Sequence, residues 1–239
     1  MNCENQKPDL KLCVGVEQTA LTAGLKIPVW VDFCNPHLLL SAPSGSGKTY
    51  LLTWLLSQLA QKPGQVVLAD FKGIDFIEMD GCKNYFRHDA VAEALNIAFD
   101  TLQARMHDPG KATEPLFCVV DEWSGFISFC QKKVQTEYLQ KMASLLMLGR
   151  GAGVFVIMAL QRADANYITG RDNFGNALGL GRQSNEAIRM LFQDEADQIQ
   201  PKGRGHGYLR TDGKPLREIV VPKIRDMKKL KEQIRAKLQ

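Results

Sequence analysis

Ala42-Pro43-Ser44-Gly45-Ser46-Gly47-Lys48-Thr49 has the residue types and the spacing of a phosphate-binding loop. Glycines let the backbone curl so that successive N–H groups point at phosphate oxygens. In this P-loop pattern, where Ala42 replaces the first glycine, Lys48 reaches the β- and γ-phosphates and the Thr49 hydroxyl ligates Mg²⁺. A Gly/Ser turn with a chance lysine is the alternative. We predict nucleotide binding by Ser44, Gly45, Ser46, Gly47, Lys48, Thr49 and Tyr50.

A second pattern supplies the carboxylates that nucleotide hydrolysis needs. The apolar run Leu116–Asp121 ends in Asp121-Glu122, which would place Asp121 at the carboxyl edge of a sheet, where it can hold Mg²⁺ through water. Glu122 can orient and deprotonate the attacking water. Gln161 follows the apolar run Val154–Leu160, and we predict that it senses the γ-phosphate. A surface Asp-Glu pair and a glutamine that caps the strand end are the structural alternatives.

Alternating strand and helix patterns would position these residues. Continuous apolar runs predict strands buried on both faces, and amphipathic segments between them predict helices. The strands are at 37–41, 66–70, 116–121 and 154–160, and the helices at 48–61, 89–107 and 133–148. Pro63-Gly64 and Pro109-Gly110 mark the ends of the first two helices. We therefore predict an α/β fold with a mainly parallel central sheet flanked by helices.

Further details of the sheet follow from the order of the motifs. We expect the strand at 154–160 to lie between the P-loop strand and the Asp-Glu strand. Short runs at 177–180, 207–209 and 218–221 would add strands at the sheet edge.

Composition narrows the protein class. Of 239 residues, 45% are hydrophobic and 23% are charged, which argues against disorder. Six scattered cysteines without C-x-x-C spacing give neither a zinc pattern nor a disulfide framework, so we expect reduced thiols in a cytoplasmic protein.

Residues 1–12 carry no signal sequence. Residues 142–160 are largely apolar, but Arg150 among glycines predicts a helix, a glycine break and a buried strand rather than a membrane span.

Positive charge is concentrated at the end of the chain. Seven basic and two acidic side chains give residues 222–239 a net charge of +5, which leaves −1 for the rest of a chain of net charge +4. Apolar residues at helical spacing predict an amphipathic helix there: Met227, Leu230, Ile234 and Leu238. This helix would either dock on the protein by a narrow stripe or bind nucleic acid or an acidic surface.

Several other motifs occur in a fixed order. The absence of Asn-Lys-x-Asp weighs against a GTPase, and the absence of Leu-Ser-Gly-Gly-Gln against an ABC transporter ATPase. The motifs present are Pro36-His37-Leu38-Leu39-Leu40, Leu68-Ala69-Asp70-Phe71-Lys72, Val119-Val120-Asp121-Glu122-Trp123, Arg150-Gly151-Ala152-Gly153, Leu160-Gln161-Arg162 and Tyr167-Ile168-Thr169-Gly170. From about residue 10 to 221 the chain resembles the motor domain of FtsK/SpoIIIE DNA translocases, within the HerA/FtsK group of P-loop ATPases.

The resemblance implies a RecA-like ATPase over residues 1–221 that uses ATP and Mg²⁺ and assembles as a homo-oligomeric ring, usually a hexamer, with DNA in its channel. ATP would sit between subunits, so that a neighbour's arginine completes the site. Arg150 matches the family's arginine; Arg162 and Arg182 are weaker candidates, and structural salt bridges are the alternative for each. Exposed loops carrying Lys132, Lys133 and Arg171 would contact the DNA backbone, or would simply be solvated.

The chain also departs from the large family members. We expect neither their membrane-spanning N-terminal region nor their winged-helix domain, and the chain resembles the small FtsK-like proteins of conjugative elements, plasmids and phages. We therefore expect a cytoplasmic DNA translocase of mobile-element transfer or replication, with a relaxase or membrane protein as a further partner. The alternative is an ATPase scaffold that docks a secretion or conjugation partner, and because the group includes type VII secretion motors, a peptide substrate stays open.

Overall fold

The computed structural model describes residues 10–108 and 114–239, and within them ten strands form one sheet. The strands are β1 (Lys11–Glu17), β2 (Pro28–Asp32), β3 (Leu38–Ser41), β4 (Gln65–Asp70), β5 (Tyr85–Arg87), β6 (Leu116–Asp121), β7 (Val154–Leu160), β8 (Asn176–Leu180), β9 (His206–Thr211) and β10 (Arg217–Val220). The α-helices are α1 (Gln18–Thr22), α2 (Lys48–Leu59), α3 (Val91–His107), α4 (Trp123–Phe129), α5 (Lys132–Leu148), α6 (Asn185–Phe192) and α7 (Met227–Leu238). Residues 1–9 and the Pro109-Gly110 pair lie outside the described residues.

The sheet has a parallel half and an antiparallel half. Its strand order is β2-β1-β10-β9-β8-β3-β7-β6-β4-β5. The strands from β8 to β5 in that order are parallel, and the other four pair in antiparallel fashion. As predicted, β7 lies between the P-loop strand β3 and the Asp-Glu strand β6.

The predicted edge position of the last three strands is wrong. β8 pairs with β3 in the interior of the sheet, and β1 and β2 continue the sheet beyond β10. The reason lies in the N-terminal segment, where β2 alternates between exposed and buried residues instead of forming a continuous apolar run. Such a half-exposed strand gives a weaker sequence signal than a strand buried on both faces.

Helices cover both faces of the parallel strands because the side chains of each strand alternate between the faces. In β6, Cys118 and Val120 join a core with helices α3 to α6, whereas Phe117 and Val119 join a core with α2 and α7. The glycine break predicted between α5 and β7 is present. A Cβ atom on Gly149 would lie 2.3 Å from the Val154 carbonyl oxygen, so this turn needs a glycine. Among the described helices, none combines the length and apolarity that crossing a bilayer requires.

The basic C-terminal segment docks on the domain. Ile234 and Leu238 of α7 are buried in the core that contains α2. Lys237 Nζ donates to the Lys62 carbonyl oxygen at 2.7 Å, Lys231 pairs with Glu78, and Arg235 donates to backbone carbonyl groups. Three basic side chains of this segment thus contact the rest of the domain, and Lys228 pairs with Glu232 within α7 at 4.0 Å.

Candidate active site

The predicted catalytic residues converge at the carboxyl edge of the parallel strands. Since β3, β7 and β6 are neighbours and point the same way, the segments that follow them lie side by side. The Ala42 N–H donates to the Leu160 carbonyl oxygen at 3.0 Å, and the Glu122 N–H donates to the Ala159 carbonyl oxygen at 3.0 Å. These backbone bonds hold the P-loop, the carboxylate pair and the end of β7 together.

The P-loop forms an open cradle ahead of helix α2. Gly45 and Gly47 have φ angles of 80° and 106°, which side chains with a Cβ atom rarely adopt. Six of the seven predicted nucleotide-binding residues line this cavity: Ser44, Gly45, Gly47, Lys48, Thr49 and Tyr50. Ser46 does not line it, because its side chain lies against Gly181. Gln161 lines the cavity from the end of β7, where a γ-phosphate sensor would have to stand.

Lys48 contacts both carboxylates of the Asp-Glu pair. Its ammonium group pairs with Asp121 Oδ1 and lies 3.5 Å from Glu122 Oε2, and all three side chains are buried. Burial raises the pKa of Asp121 to about 6, although the Lys48 charge acts in the opposite direction. Burial also opposes the charge of Lys48, but Asp121 and Glu122 outweigh it and raise the Lys48 pKa. A bound triphosphate would therefore compete with these carboxylates for the ammonium group.

The second oxygen of Asp121 fits the expected role in Mg²⁺ binding. Asp121 Oδ2 is buried and has no hydrogen-bond partner within the described part of the chain. Such an atom costs free energy unless a ligand completes it. The Thr49 side chain lines the adjacent cavity, and carboxylate and hydroxyl oxygens suit this hard cation. Thr49 and Asp121 are thus the residues that would hold Mg²⁺ here.

Glu122 has a strained backbone and a salt-bridge partner. It adopts φ 62° and ψ 49° at the start of α4, in the left-handed region that glutamate disfavours. Its Oε2 lies 3.1 Å from Lys72 Nζ, and its Oε1 accepts from the Ser124 hydroxyl at 3.4 Å. The strain and these contacts place its carboxylate beside the P-loop lysine.

Lys72 and Asp75 were missed as site residues by sequence reasoning. Both follow β4, and buried Asp70 orders their loop by accepting hydrogen bonds from the Gly73 N–H at 3.0 Å, the Phe76 N–H at 3.2 Å and the Tyr85 hydroxyl at 3.1 Å. Asp75 lines the cradle. Because β4 is the parallel neighbour of β6, placing the two strands side by side would have brought this loop to the site.

Arg204 is a further missed residue. It lines the cradle from the loop that precedes β9, and it is exposed. The Gly205 N–H of the same loop donates to the Ser46 carbonyl oxygen at 3.0 Å. No sequence motif identifies this loop, because its approach to the P-loop depends on the antiparallel half of the sheet.

Arg150 lies far from the cradle of its own chain. It is exposed in the turn before β7, at the amino edge of the parallel strands. The seven residues of β7 separate the two edges by about 23 Å. Arg150 can therefore meet a P-loop only on another copy. Arg162 and Arg182 are exposed at the carboxyl edge, just past β7 and β8.

The three basic residues predicted to contact DNA do not form one cluster. Lys132 and Lys133 are exposed in the first turn of α5. Arg171 is also exposed, but it follows Gly170, which lies against Ala143. Eleven residues of helix, about 16 Å, separate Lys132 from that point.

Comparisons with known proteins agree with this architecture. The family described as "Helicase HerA, central domain" matches residues 16–108. The Ftsk domain-containing protein YdcQ of Bacillus subtilis is 28% identical over 206 residues, covering 78% of this chain and 43% of YdcQ. The type VII secretion system protein EssC of Staphylococcus aureus is 26% identical over 221 residues, covering 77% of this chain and 14% of EssC. The chain thus spans less than half of either relative.

Two solved structures share the fold. The pCW3 conjugation coupling protein TcpA, with ATPγS, superposes with a TM-score of 0.74 at 19% identity, covering 97% of this chain and 70% of TcpA. The cytoplasmic domain of the type VII secretion ATPase EccC of Thermomonospora curvata gives 0.70 at 20% identity, covering 98% of this chain and 32% of EccC. The predicted RecA-like P-loop fold is confirmed.

Proposed function

We propose that this chain is a P-loop ATPase domain of the HerA/FtsK group, and that it hydrolyses ATP to move DNA as a homo-oligomeric ring. The observation that carries the proposal is the convergence of the P-loop, Asp121, Glu122 and Gln161 at one edge of the sheet. These groups match the needs of triphosphate binding and cleavage.

The proposed reaction follows from the positions of these side chains. The P-loop N–H groups and Lys48 bind the phosphates, and Lys48 leaves its carboxylate partners to do so. Glu122 takes a proton from a water molecule while the oxygen of that water forms a bond to the γ-phosphorus. The bond between the γ-phosphorus and the β-γ bridging oxygen breaks, and ADP is released. Gln161 contacts the γ-phosphate. Mg²⁺ held by Thr49 and Asp121 would neutralise charge on the phosphate oxygens.

Ring formation is proposed because one chain supplies only part of the site. Arg150 is the predicted arginine of the transition state, and its own cradle lies at the other edge of the sheet. In a head-to-tail ring, the amino edge of one copy would meet the carboxyl edge of the next. Each interface would then hold one complete ATP site.

A coupling role that docks a secretion or conjugation partner is the second candidate. Two observations favour it. The body of the chain has a net charge of −1, and α7 uses Lys231, Arg235 and Lys237 for contacts within the chain. The relatives also include a conjugation coupling protein and type VII secretion proteins. A DNA grip would then depend on local contacts by Lys132, Lys133 and Arg171.

ATPase rates with single- and double-stranded DNA across a salt series test the proposal. We expect DNA to stimulate turnover, and the stimulation to fall steeply with salt because phosphate contacts release counterions. The variant Lys132→Gln/Lys133→Gln should lose stimulation while keeping its basal rate, and Lys228→Gln/Lys229→Gln on exposed α7 positions is the matched control. ATP hydrolysis that neither DNA form alters would favour the coupling role.

A further inference from the structure

The last residue of α4 exposes a large aromatic ring. Phe129 is 69% exposed, which makes it the most exposed aromatic side chain of residues 10–108 and 114–239. Burying a ring of this size would contribute roughly 1.5–3 kcal/mol to folding, and the chain forgoes that gain here. A single exposed apolar side chain is ordinary, but this one borders an open groove and lies beside exposed lysines.

Neighbouring rings hold Phe129 in place. Its ring centroid lies 5.7 Å from that of Phe71, with 51° between the ring planes, and Phe71 makes an edge contact with Phe126 at 6.1 Å. Phe126 is buried and contacts Tyr138 edge-on at 5.4 Å. Because these contacts already order the Phe129 ring, stacking a flat partner on it costs little side-chain entropy.

The groove lies between α3, α4 and α5. Phe129 and Val134 supply apolar surface to its lining, and Asp89 and Gln131 supply polar atoms. Nucleic-acid bases have the same division, since their faces are apolar and their edges carry amino and carbonyl groups. The lining therefore suits a base whose face meets Phe129 and whose edge meets the polar groups.

Positive charge lies beside the groove. Lys132 and Lys133 are exposed in the first turn of α5, and neither pairs with a carboxylate within the described part of the chain. Glu137 stands one turn beyond Lys133, but it pairs with Lys141 at 2.7 Å. Gln131 precedes α5 without a side-chain capping bond, so the first N–H groups of this helix add to the positive potential.

The ring and the lysines are close enough to share one ligand. Phe129 and Lys132 are three residues apart, so their Cα atoms are separated by at most about 11 Å. Stacking on Phe129 needs an unpaired base, because the bases of a duplex already cover each other's faces. We propose that this groove binds single-stranded DNA, with a base on Phe129 and the neighbouring phosphates at Lys132 and Lys133. The inference rests on the proposed function and names the form of DNA that it uses.

The groove lies near the segments that hold the catalytic carboxylate. Glu122 directly precedes α4, and Phe71, which supports Phe129, directly precedes Lys72. Lys72 Nζ lies 3.1 Å from Glu122 Oε2. A strand on Phe129 would thus contact both segments, and we expect single-stranded DNA to raise ATP turnover more than duplex DNA does.

The test compares three ligands that share phosphates and differ in their bases. They are a mixed-sequence single strand, an abasic strand and a duplex, all of equal length, and fluorescence anisotropy measures their binding to the whole chain with Mg²⁺ and ATPγS. Phe129→Leu removes the ring and keeps an apolar side chain. We expect it to weaken binding of the mixed-sequence strand about tenfold and to leave the other two affinities unchanged.

Two further variants separate stacking from other effects. Trp30→Leu removes another exposed ring, on edge strand β2 towards the other end of the sheet, and as the matched control it should change none of the three affinities. Lys132→Gln/Lys133→Gln should weaken all three ligands and reduce the salt dependence of binding, because it removes phosphate contacts.

Photocrosslinking gives a readout that needs no substitution. With 5-iodouracil in the single strand, we expect crosslinks to peptides that contain Phe129, and crosslinks confined to other peptides overturn the inference. A Phe129→Leu variant that weakens all three ligands equally also overturns it. So does one that binds all three like wild type, which would leave the groove to another occupant such as an apolar peptide.

The same measurements separate this inference from the proposed function. If only duplex DNA binds and raises turnover, the single-strand site is wrong and the proposed function stands. If no form of DNA binds or alters ATP hydrolysis, the proposed movement of DNA itself fails.

Discussion

The two edges of the parallel sheet both contain buried polar side chains, but they treat them differently. At the carboxyl edge, Lys48 lies between two carboxylates, and Asp121 Oδ2 has no partner among the described residues. At the amino edge, buried His37 has both ring nitrogens bonded: Nδ1 accepts from the Val156 N–H at 2.9 Å, and Nε2 donates to the Leu146 carbonyl oxygen at 3.0 Å. The carboxyl edge thus keeps a buried oxygen without a hydrogen-bond partner among the described residues, whereas at the amino edge both ring nitrogens of His37 are bonded.

The difference indicates which buried polar groups serve structure and which await a ligand. Both His37 and Glu122 have positive φ angles, 63° and 62°, so backbone strain alone does not separate the two edges. The two edges differ in whether their buried polar groups have all of their hydrogen-bond partners. A fully bonded buried group stabilises packing, whereas an unfinished cluster of charges costs free energy that a ligand can recover.

We expect the largest effect on turnover from substitution of Glu122, at the carboxyl edge. Glu122→Gln removes the proton acceptor and keeps the side-chain shape, so we expect kcat to fall by about 10²–10⁴-fold with ATPγS affinity retained. Steady-state turnover and calorimetry measure the two quantities. Glu186→Gln, at an exposed position in α6, is the control. Near-normal turnover in Glu122→Gln would mean that another group accepts the proton.

Arg150 could break the comparison, because it would make the amino edge of one copy part of the active site of the next. Arg150→Ala should lower turnover by about 10³-fold, because the arginine would stabilise the transition state. Lys48→Ala should also lose turnover. Mixing the two variants should restore some activity, since one interface type then carries both an intact Lys48 and an intact Arg150. Co-purification of the untagged variant through an affinity tag on the other confirms mixed assembly. Mixed rings that stay inactive would contradict this role.

At the amino edge, His37 should affect the pH dependence of the free energy of unfolding. Burial lowers its pKa to about 4, below the ordinary 6.5, so the unfolded chain binds more protons between these values. Stability from neutral His37 is therefore present above pH 6.5 and is lost as pH falls towards 4, by up to about 3 kcal/mol. Denaturant unfolding should show that His37→Gln lacks this part of the pH dependence.

Comparison between variants is needed because the raised pKa of Asp121 gives the opposite slope over part of the same range. Asp121 is present in both proteins, so its contribution cancels in the difference. His107→Gln, at an exposed position near the end of α3, should keep the wild-type dependence. Equal slopes in wild type and His37→Gln would contradict the role of His37.

Sequence patterns predicted five of the six strands of the parallel half because their signals are local, although they placed β8 at the edge of the sheet. Continuous apolar runs mark β3, β4, β6 and β7, and glycine spacing marks the P-loop. Their parallel order then brings Lys48, Asp121, Glu122 and Gln161 together. The same patterns missed β1, β2 and β5, which are short or half exposed.

The missed residues near the site depend on contacts between distant segments. Arg204 reaches the P-loop only because β9 runs antiparallel to β8 and therefore begins at the carboxyl edge of the parallel strands. Pro222 comes near Tyr50 only because β10, which is antiparallel to β9, ends at that same edge. Spacing along the chain carries no record of such approaches. Lys72 is intermediate, since it stands in a recognised motif but its contact needs the β4–β6 pairing.

The smallest expected effect sharpens the comparison within the carboxyl edge itself. Lys72 Nζ lies 3.1 Å from Glu122 Oε2, and Asp70 holds the Lys72 loop with a complete set of hydrogen bonds. The loop that Asp70 holds by hydrogen bonds thus positions the Glu122 carboxylate through Lys72. We expect Lys72→Met to lower kcat about tenfold by loosening the Glu122 carboxylate, with the KM for ATP unchanged because Lys72 does not line the cradle.

Lys72→Arg keeps the charge and should recover most of kcat, which a purely steric role would not predict. Lys83→Met, at an exposed lysine just before β5, is the matched control and should match wild type. A rise in KM with normal kcat would instead place Lys72 on the nucleotide. A double variant with Glu122→Gln distinguishes the two, because Lys72→Met should add no further loss of turnover once the carboxylate it positions is gone.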